Sequence, residues 1–413
     1  MRPKNINKKV SDRNLEQLEH AMNAGISAGM YEFLAQDRVI WGKPAAEAVL
    51  EEVERRGAQR VFIVTGKTLN RRTDAISRIR QALGHRHAGT FDECMEHTPR
   101  ASVLAAAQAV RAAGADLIVT VGGGTAIDTV KVALVALAHG LTTPAELDNF
   151  RVRPLDDGGT YFPAVKAPPL RQIVVTTTLS AAEFSNYGGC VDPERGIKDG
   201  YSGREIGAAA VILDPEITLH TPEHLWLSTG IRAVDHAVES ICSREPSVLV
   251  DATALHALSL FRQSLARSKE APDDLQARLD CMHAAWMSSF GILRVPFGAS
   301  HGIGHSLGAV TGMSHGDTSC VMLPHVMRFN LGFTAAAQAR IATALGRDDG
   351  DAAAGVAELI DSLGLPRRLR DVGVAPSRFE DVARGAMANI WVRANPRPIT
   401  SPSEITALLE AAW

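Results

Sequence analysis

The chain has 413 residues, of which 46% are hydrophobic, and it carries a formal net charge of −3. That length allows two or three domains and therefore a cleft between domains. The near-neutral charge and the 5% of aromatic residues argue against nucleic acid or an anionic membrane as a partner. The longest apolar stretches are also too short to span a bilayer.

Five cysteines are scattered along the chain and include no Cys-x-x-Cys pair. This usage indicates reduced thiols rather than a disulfide framework or a zinc cluster. Residues 1–30 form a polar extension, with a short helix predicted around Asn14 to Ala24. The extension begins with basic residues but lacks an apolar segment, and its acidic residues argue against a transit peptide. We therefore expect a soluble, cytoplasmic protein.

Residues 31–215 are predicted to form an α/β domain. Short apolar runs of the kind found in buried parallel strands alternate there with helical stretches. The runs are RVFIVT (60–65), ADLIVTV (115–121), QIVVTTT (172–178) and AAVIL (209–213). This alternation predicts a doubly wound parallel sheet with helices on both faces. The β pattern then stops, and residues 216–413 are predicted to form an all-helical domain.

Three glycines in VTVGGGTAIDTVK directly follow a predicted strand and directly precede a predicted helix. At such a turn the backbone can approach a phosphate closely, and the free N–H groups and the helix dipole favour an anion. The segment is neither a GxGxxG fingerprint nor a P-loop, and a glycine triplet is also compatible with a purely structural turn. Thr125 is predicted to cap the helix. Asp128 falls in its first two turns, where a carboxylate would also suit the dipole.

Histidines gather in two segments of the helical half. RAVDHAVES places Arg232 and His236 four residues apart, on one face of a predicted helix. HGIGHSLGAVTGMSHGDTS places His301 and His305 at the same spacing, with His315 ten residues later. Imidazoles from separate helices can converge on one divalent cation. For each histidine taken singly, a buried and hydrogen-bonded side chain is the alternative.

Together these motifs resemble the iron-type (group III) alcohol dehydrogenase superfamily. GGGTAIDTVK resembles its GGGSxxDxAK segment, and HGIGHSLGAVTGMSHGDTSCVMLPHVMRFN resembles HxxxHxxGAxxxxxHGxxxAxxLPxVxxxN. TTTLSAAEF and GIRAVDHAVES stand where the family has TTAGTGSE and GxDALxHAxE. The resemblance runs from about residue 38 to the C-terminus. The closing stretch MANIWVRANPRPIT is most similar to the maleylacetate reductases.

The resemblance implies a dehydroquinate synthase-like architecture, in which a dinucleotide-binding α/β domain and an all-helical domain enclose a cleft. It implies that the pyrophosphate of NAD(P)H is held by Gly123, Gly124 and Thr125, with Asp128 beside them in the cofactor site. Its nicotinamide side would be lined by Thr176, Thr177 and Lys198. The family's histidine ligands of Fe²⁺ or Zn²⁺ would be His236, His301 and His315. The partners expected are a small-molecule substrate and a second copy of the chain in a homodimer.

Three positions depart from the family pattern. Arg232 takes the place of the aspartate ligand, and its permanent charge would repel a metal cation. Maleylacetate reductases also depart there, typically with asparagine, and resemble metal-independent enzymes. The bulkier TTTLSAAE replaces a glycine-rich loop near the nicotinamide. Gly66 stands where NAD-preferring members often carry aspartate, so NADPH becomes acceptable as well.

The leading hypothesis is an NAD(P)H-dependent oxidoreductase that transfers hydride between the nicotinamide and a carbonyl or alcohol, with a carboxylate-bearing keto acid as the expected substrate. Arg232 would clamp the carboxylate or stabilise the developing oxyanion. His305 would donate or relay the proton. One alternative is a metal-dependent dehydrogenase of a small alcohol or aldehyde. Another is a nucleotide-binding relative that has lost catalysis.

Overall fold

The computed structural model describes residues 29–155, 159–195 and 197–413. Residues 34–413 form one compact unit. The helix predicted around Asn14 to Ala24 lies outside the described residues. All described strands come before residue 214, and the regular elements described after that point are helices. The division into domains at residue 215 stays a prediction.

Six parallel strands form the central sheet. In chain order, the strands of the described residues are β1 (Arg38–Trp41), β2 (Val61–Thr65), β3 (His87–Phe91), β4 (Leu117–Gly122), β5 (Arg151–Pro154), β6 (Thr160–Tyr161), β7 (Arg171–Thr176), β8 (Tyr187–Asp192), β9 (Ile197–Ser202) and β10 (Ala208–Leu213). The central sheet has the order β1-β10-β7-β4-β2-β3. The four apolar runs form its four inner strands, which confirms the predicted parallel sheet. The outer strands β1 and β3 are only partly buried and therefore lack such runs.

Helices cover both faces of this sheet, as the doubly wound prediction requires. They are α1 (Ala45–Arg56), α2 (Lys67–Arg72), α3 (Ala75–Leu83), α4 (Arg100–Ala112) and α5 (Gly124–His139). Because side chains alternate along a strand, Ile63 packs in the same core cluster as α1 and α3. Its neighbour Phe62 packs in the cluster of α4 and α5.

A second, antiparallel sheet has the order β6-β5-β9-β8 and was not predicted. Its strands are rich in glycine and charged residues, as in YGGCVD and IKDGYS, so they show no apolar run. The glycines are required because long side chains lie across them. A Cβ at Gly200 would lie 1.5 Å from the hydroxyl of Tyr187, and one at Gly189 would lie 2.1 Å from Cε of Lys198.

The remaining described helices are α6 (Glu223–Ile241), α7 (Val248–Glu270), α8 (Leu275–Ser288), α9 (Ala299–Thr311), α10 (His315–Ala344), α11 (Ala352–Ser362), α12 (Phe379–Met387), α13 (Ile390–Ala394) and α14 (Pro402–Ala411). Helix α6 lies at the centre of this part, since every residue from Trp226 to Ile241 is buried. Among the described helices, none is by itself long and apolar enough to cross a membrane. One bent pair of segments, Gly124–His139 with Pro144–Phe150, meets the length and composition requirements jointly.

The contact between Tyr187 and Gly200 generates a stability prediction. Gly200→Ala is expected to lower the free energy of unfolding by about 1–3 kcal/mol, because the new methyl group displaces the tyrosine ring from the strand. Gly332→Ala is the control, since a Cβ there would meet no atom within 4 Å and alanine favours the helix. Urea unfolding followed by circular dichroism measures both variants. Equal stability of Gly200→Ala and the wild type would contradict the close contact.

Candidate active site

The turn between β4 and α5 is built from glycines. Gly122 has a φ of +151°, a conformation that favours glycine. Gly123 is the N-cap of α5, and a Cβ there would lie 2.6 Å from Cγ2 of Thr178. The hydroxyls of Thr178 and Ser180 are 3.1 Å apart, and Ser180 lies beside Gly124. Free backbone N–H groups and two hydroxyls therefore border the turn, an arrangement that suits an anion.

The segment after β7 is attached to this turn by hydrogen bonds. The backbone N–H of Thr177 donates to the carbonyl of Gly122 at 3.2 Å. The carbonyl of Thr177 accepts from the Thr221 hydroxyl at 2.7 Å. The Thr176 hydroxyl donates to the carbonyl of Thr178 at 3.2 Å. The structure thus brings Thr176 and Thr177 to the glycine turn, and it adds Thr178 and Ser180, which the sequence signalled only through the altered TTTLSAAEF loop.

Thr125 does not cap α5, so that prediction is wrong. The capping position falls on Gly123, and no side chain accepts a hydrogen bond there. Thr125 lies inside the helix, where its carbonyl accepts from the Thr129 hydroxyl at 2.8 Å. The turn closes two residues earlier than expected because its second glycine already has the extended conformation of an N-cap.

Lys198 connects the predicted cofactor residues with the histidines. Its Nζ lies 4.0 Å from Oδ2 of Asp128 and 3.4 Å from Nε2 of His315. Asp128 is held by the backbone N–H of Gly189, which donates to its Oδ2 at 3.1 Å. The absence of a side chain at Gly189 gives Lys198 the room to lie across β8 toward α10. The α5 side of the site and the histidine side are therefore joined through one ammonium group.

Two buried carboxylates on α6, Asp235 and Glu239, hold His301. Oε2 of Glu239 is 2.7 Å from Nδ1 of His301, and Oδ1 of Asp235 is 3.5 Å from the same nitrogen. Burial, the largest single effect, lowers the pKa of His301, but the two carboxylates outweigh it and the net pKa is raised. His301 is therefore stabilised as an imidazolium. Sequence reasoning missed Asp235 and Glu239, although their spacing after Arg232 places all three on one helix face.

Arg232 is buried beside this pair, with 10% of its side chain exposed. Its Nη1 donates to the hydroxyl of Ser319 at 3.1 Å and lies 3.6 Å from Oδ2 of Asp235. That Oδ2 already accepts from the hydroxyls of Ser300 at 2.8 Å and Ser319 at 2.6 Å. Within the described residues Ser319 is the one hydrogen-bond acceptor of Arg232, so most of its N–H groups are not used by the protein.

The other three histidines of the cluster are neutral. Burial lowers the pKa of His236, His305 and His315 well below the usual value, and the positive charge of Arg232 adds to this effect for each of them. The rings of His236 and His301 lie 5.0 Å apart, and those of His305 and His315 lie 5.5 Å apart. The lowered pKa of His305 favours its neutral form, and its role as proton donor or relay stays a prediction.

Residues 36–215 match the family described as iron-containing alcohol dehydrogenase, and residues 226–413 match the C-terminal part of the Fe-containing alcohol dehydrogenase family. The chain belongs to this family. It is 31% identical over 395 residues to the dehydrogenase ALT3 of Alternaria alternata, covering 86% of this chain and 99% of that protein. It is 30% identical over 377 residues to maleylacetate reductase 2 of Cupriavidus pinatubonensis, covering 91% and 94%.

A solved structure of maleylacetate reductase from Agrobacterium tumefaciens has the same fold, with a TM-score of 0.78 at 27% identity. The alignment covers 94% of this chain and 99% of that one. The predicted resemblance to iron-type alcohol dehydrogenases, and among them to maleylacetate reductases, is confirmed. This family member is therefore an oxidoreductase.

The residues at the family's metal-ligand positions do not fit a divalent cation. His236, His301 and His315 are not among the groups of three donors that converge to within 4.8 Å in the described part of the chain. Asp235, Glu239 and His301 do converge, but both carboxylates already face Nδ1 of His301 and accept from neighbouring hydroxyl or backbone donors. The guanidinium of Arg232 adds a repelling charge where the family has a carboxylate.

A second convergent group, Asp148, Asp192 and Asp199, lies outside this site. All three carboxylates pair with the buried guanidinium of Arg100. Arg151 and Arg195 pair with the same carboxylates, so three arginines balance the three aspartates.

The donor set predicts a low metal content. Protein purified without chelator and without a metal-affinity column is expected to contain well below one iron or zinc ion per chain by elemental analysis. Arg232→Asp is expected to raise that content, because it replaces the repelling cation with the family's carboxylate ligand. Stoichiometric metal in the wild type, removed with loss of activity, would contradict the prediction.

Proposed function

We propose that this protein is an NAD(P)H-dependent reductase of a small keto acid of the maleylacetate type. The observation that carries the proposal is the buried Arg232 in the place of the family's aspartate ligand. A guanidinium binds a carboxylate through two parallel hydrogen bonds. In a buried site the same cation also stabilises the negative charge that develops on a carbonyl oxygen when hydride arrives.

The pairing of the surrounding charges supports an anionic substrate. Asp235 and Glu239 are both engaged by His301 and by hydroxyl or backbone donors. Arg232, by contrast, approaches Asp235 no closer than 3.6 Å, which is longer than the roughly 2.7–2.9 Å of a charge-assisted hydrogen bond. Its charge is therefore only loosely compensated and is available to a substrate carboxylate.

The glycine turn supports a dinucleotide at the N-terminus of α5. Gly123 and Gly124 would hold the pyrophosphate, with the hydroxyls of Thr178 and Ser180 as further donors. Bound NAD(P)H would supply the hydride. Gly66 is the N-cap of α2, and a Cβ there would meet no atom within 4 Å. This open space, with no carboxylate at the position, supports acceptance of the 2′-phosphate of NADPH.

The cofactor placement is tested at Gly123. Gly123→Val is expected to weaken NADH and NADPH binding by about tenfold or more, because its side chain occupies the anion site and overlaps Thr178. Fluorescence titration measures the dissociation constants, and circular dichroism verifies the fold. Gly123→Ala combined with Thr178→Ser is the matched control, because it removes the Cγ2 atom that the new Cβ would overlap and keeps the hydroxyl. Wild-type affinity in Gly123→Val would contradict the placement.

The role of Arg232 is tested by steady-state kinetics with NADPH and a panel of small keto acids. Arg232→Lys keeps the charge but loses the two-pronged geometry, so kcat/KM is expected to fall about 30- to 1000-fold, equivalent to about 2–4 kcal/mol. Arg267→Lys is the matched control, because Arg267 is half exposed in a surface pair with Asp274. Near-wild-type kcat/KM in both Arg232→Lys and Arg232→Ala would remove the arginine from the reaction.

A further inference from the structure

The stretch MANIWVRANPRPIT (387–400), which follows α12 and leads to α14, packs against helix α9 at three positions. Oδ1 of Asn395 accepts a backbone N–H at the N-terminus of α9 at 2.9 Å. One turn further, a Cβ at Gly302 would lie 2.5 Å from Cγ2 of Val392, so only glycine admits this approach. Asn389 then lies against His305, with its Nδ2 3.3 Å from Nδ1 of the imidazole.

The orientation of the Asn389 amide follows from a second hydrogen bond. Asn389 is the N-cap of α13, and its Oδ1 accepts the backbone N–H of Trp391 at 2.9 Å. The oxygen is thereby committed to the helix, and the NH₂ group is the one that faces His305. An amide nitrogen donates but does not accept, so Nδ1 of His305 must carry the lone pair.

The tautomer of His305 is the consequence. With Nδ1 as acceptor, the single proton of the neutral ring resides on Nε2. Nε2 of His305 has no hydrogen-bond partner in the described part of the chain. It is also not fully buried, so another molecule can reach it. This N–H is therefore the one that a substrate can meet.

We propose that Asn389 is a positioning residue that holds His305 as its Nε2–H tautomer, so that His305 donates a hydrogen bond, and not a proton, to the carbonyl oxygen of the substrate. When hydride adds to the carbonyl carbon, the π electron pair moves to the oxygen, and the resulting alkoxide takes its proton from solvent water. A neutral imidazole N–H polarises a carbonyl without changing its own protonation state. The use of this N–H on a substrate rests on the proposed function, whereas the tautomer does not.

The tautomer is tested by NMR. Protein labelled with ¹⁵N-histidine is examined at pH 7.5 by two-bond ¹H–¹⁵N correlation, and the His305 signals are assigned by their loss in His305→Gln. The wild type is expected to show an unprotonated Nδ1 and a protonated Nε2. Asn389→Asp retains an N-cap acceptor for α13 but presents an oxygen to the ring, so a protonated Nδ1 is expected. A protonated Nδ1 in the wild type would overturn the proposal.

Two further variants guard against indirect effects. Asn389→Ser keeps an N-cap side chain but withdraws the contact, and it is expected to show a mixture of both tautomers. Asp351→Asn is the control: it makes the reverse substitution at the exposed N-cap of α11, and it is expected to leave the His305 signals unchanged. A wild-type His305 spectrum in both Asn389 variants would overturn the role of Asn389.

Steady-state kinetics show whether the effect of Asn389 falls on kcat or on KM. Asn389→Asp is expected to lower kcat for the best keto acid by about 10²-fold, as for loss of one oxyanion donor, with little change in KM. An unchanged kcat despite the altered tautomer would overturn the proposal that the Nε2–H acts on the substrate. If the wild type reduces no keto acid with NADH or NADPH, the proposed function fails, while an Nε2–H signal in that same sample still supports the positioning by Asn389.

Discussion

The ion cluster of Arg232, Asp235, Glu239 and His301 is the constraint on which the rest of the site depends. All four side chains are buried, and removing one partner of a buried pair typically costs about 3–5 kcal/mol because the other charge is left uncompensated. Glu239 also accepts backbone N–H groups at the N-terminus of α9, and Asp235 accepts from Ser319 on α10. Charge pairing between α6 and α9, with a hydrogen bond from Ser319 on α10, thus positions the residues at the family's metal-ligand positions.

Three glycines allow separate segments of the chain to pack closely around this ion cluster. Gly189 lets Lys198 cross the antiparallel sheet toward His315, and Gly316 lets α10 begin against α6, where a Cβ would lie 2.7 Å from Oγ of Ser228. Gly302 admits the C-terminal segment to α9. The glycine turn before α5, the ion cluster and the other histidines are brought together by glycines that are far apart in the sequence, and each glycine makes room for a different neighbouring side chain.

The inner strands of the central sheet and the helical half were predictable because burial on both faces imposes a local pattern of apolar residues. β8 and β9 were not predictable, since the side chains of Tyr187 and Lys198 cover facing glycines instead of forming an apolar run. The histidine positions were visible in the motifs. Their protonation was not, because it depends on which buried carboxylate or guanidinium lies beside each ring, and those groups come from other helices.

The sequence by itself determined the family, the parallel sheet and the substitution of Arg232 at the family's ligand position, because motif spacing and strand composition are local properties of the chain. Only the tertiary structure decided that His301 is paired with two carboxylates while His305 is neutral and faces an amide donor. These properties depend on distances of about 3 Å between residues as far apart as Glu239 and His301, or His305 and Asn389. Hydrogen bonds and buried charges act at that range between residues that are distant in the sequence. The order of residues along the chain therefore does not reveal them.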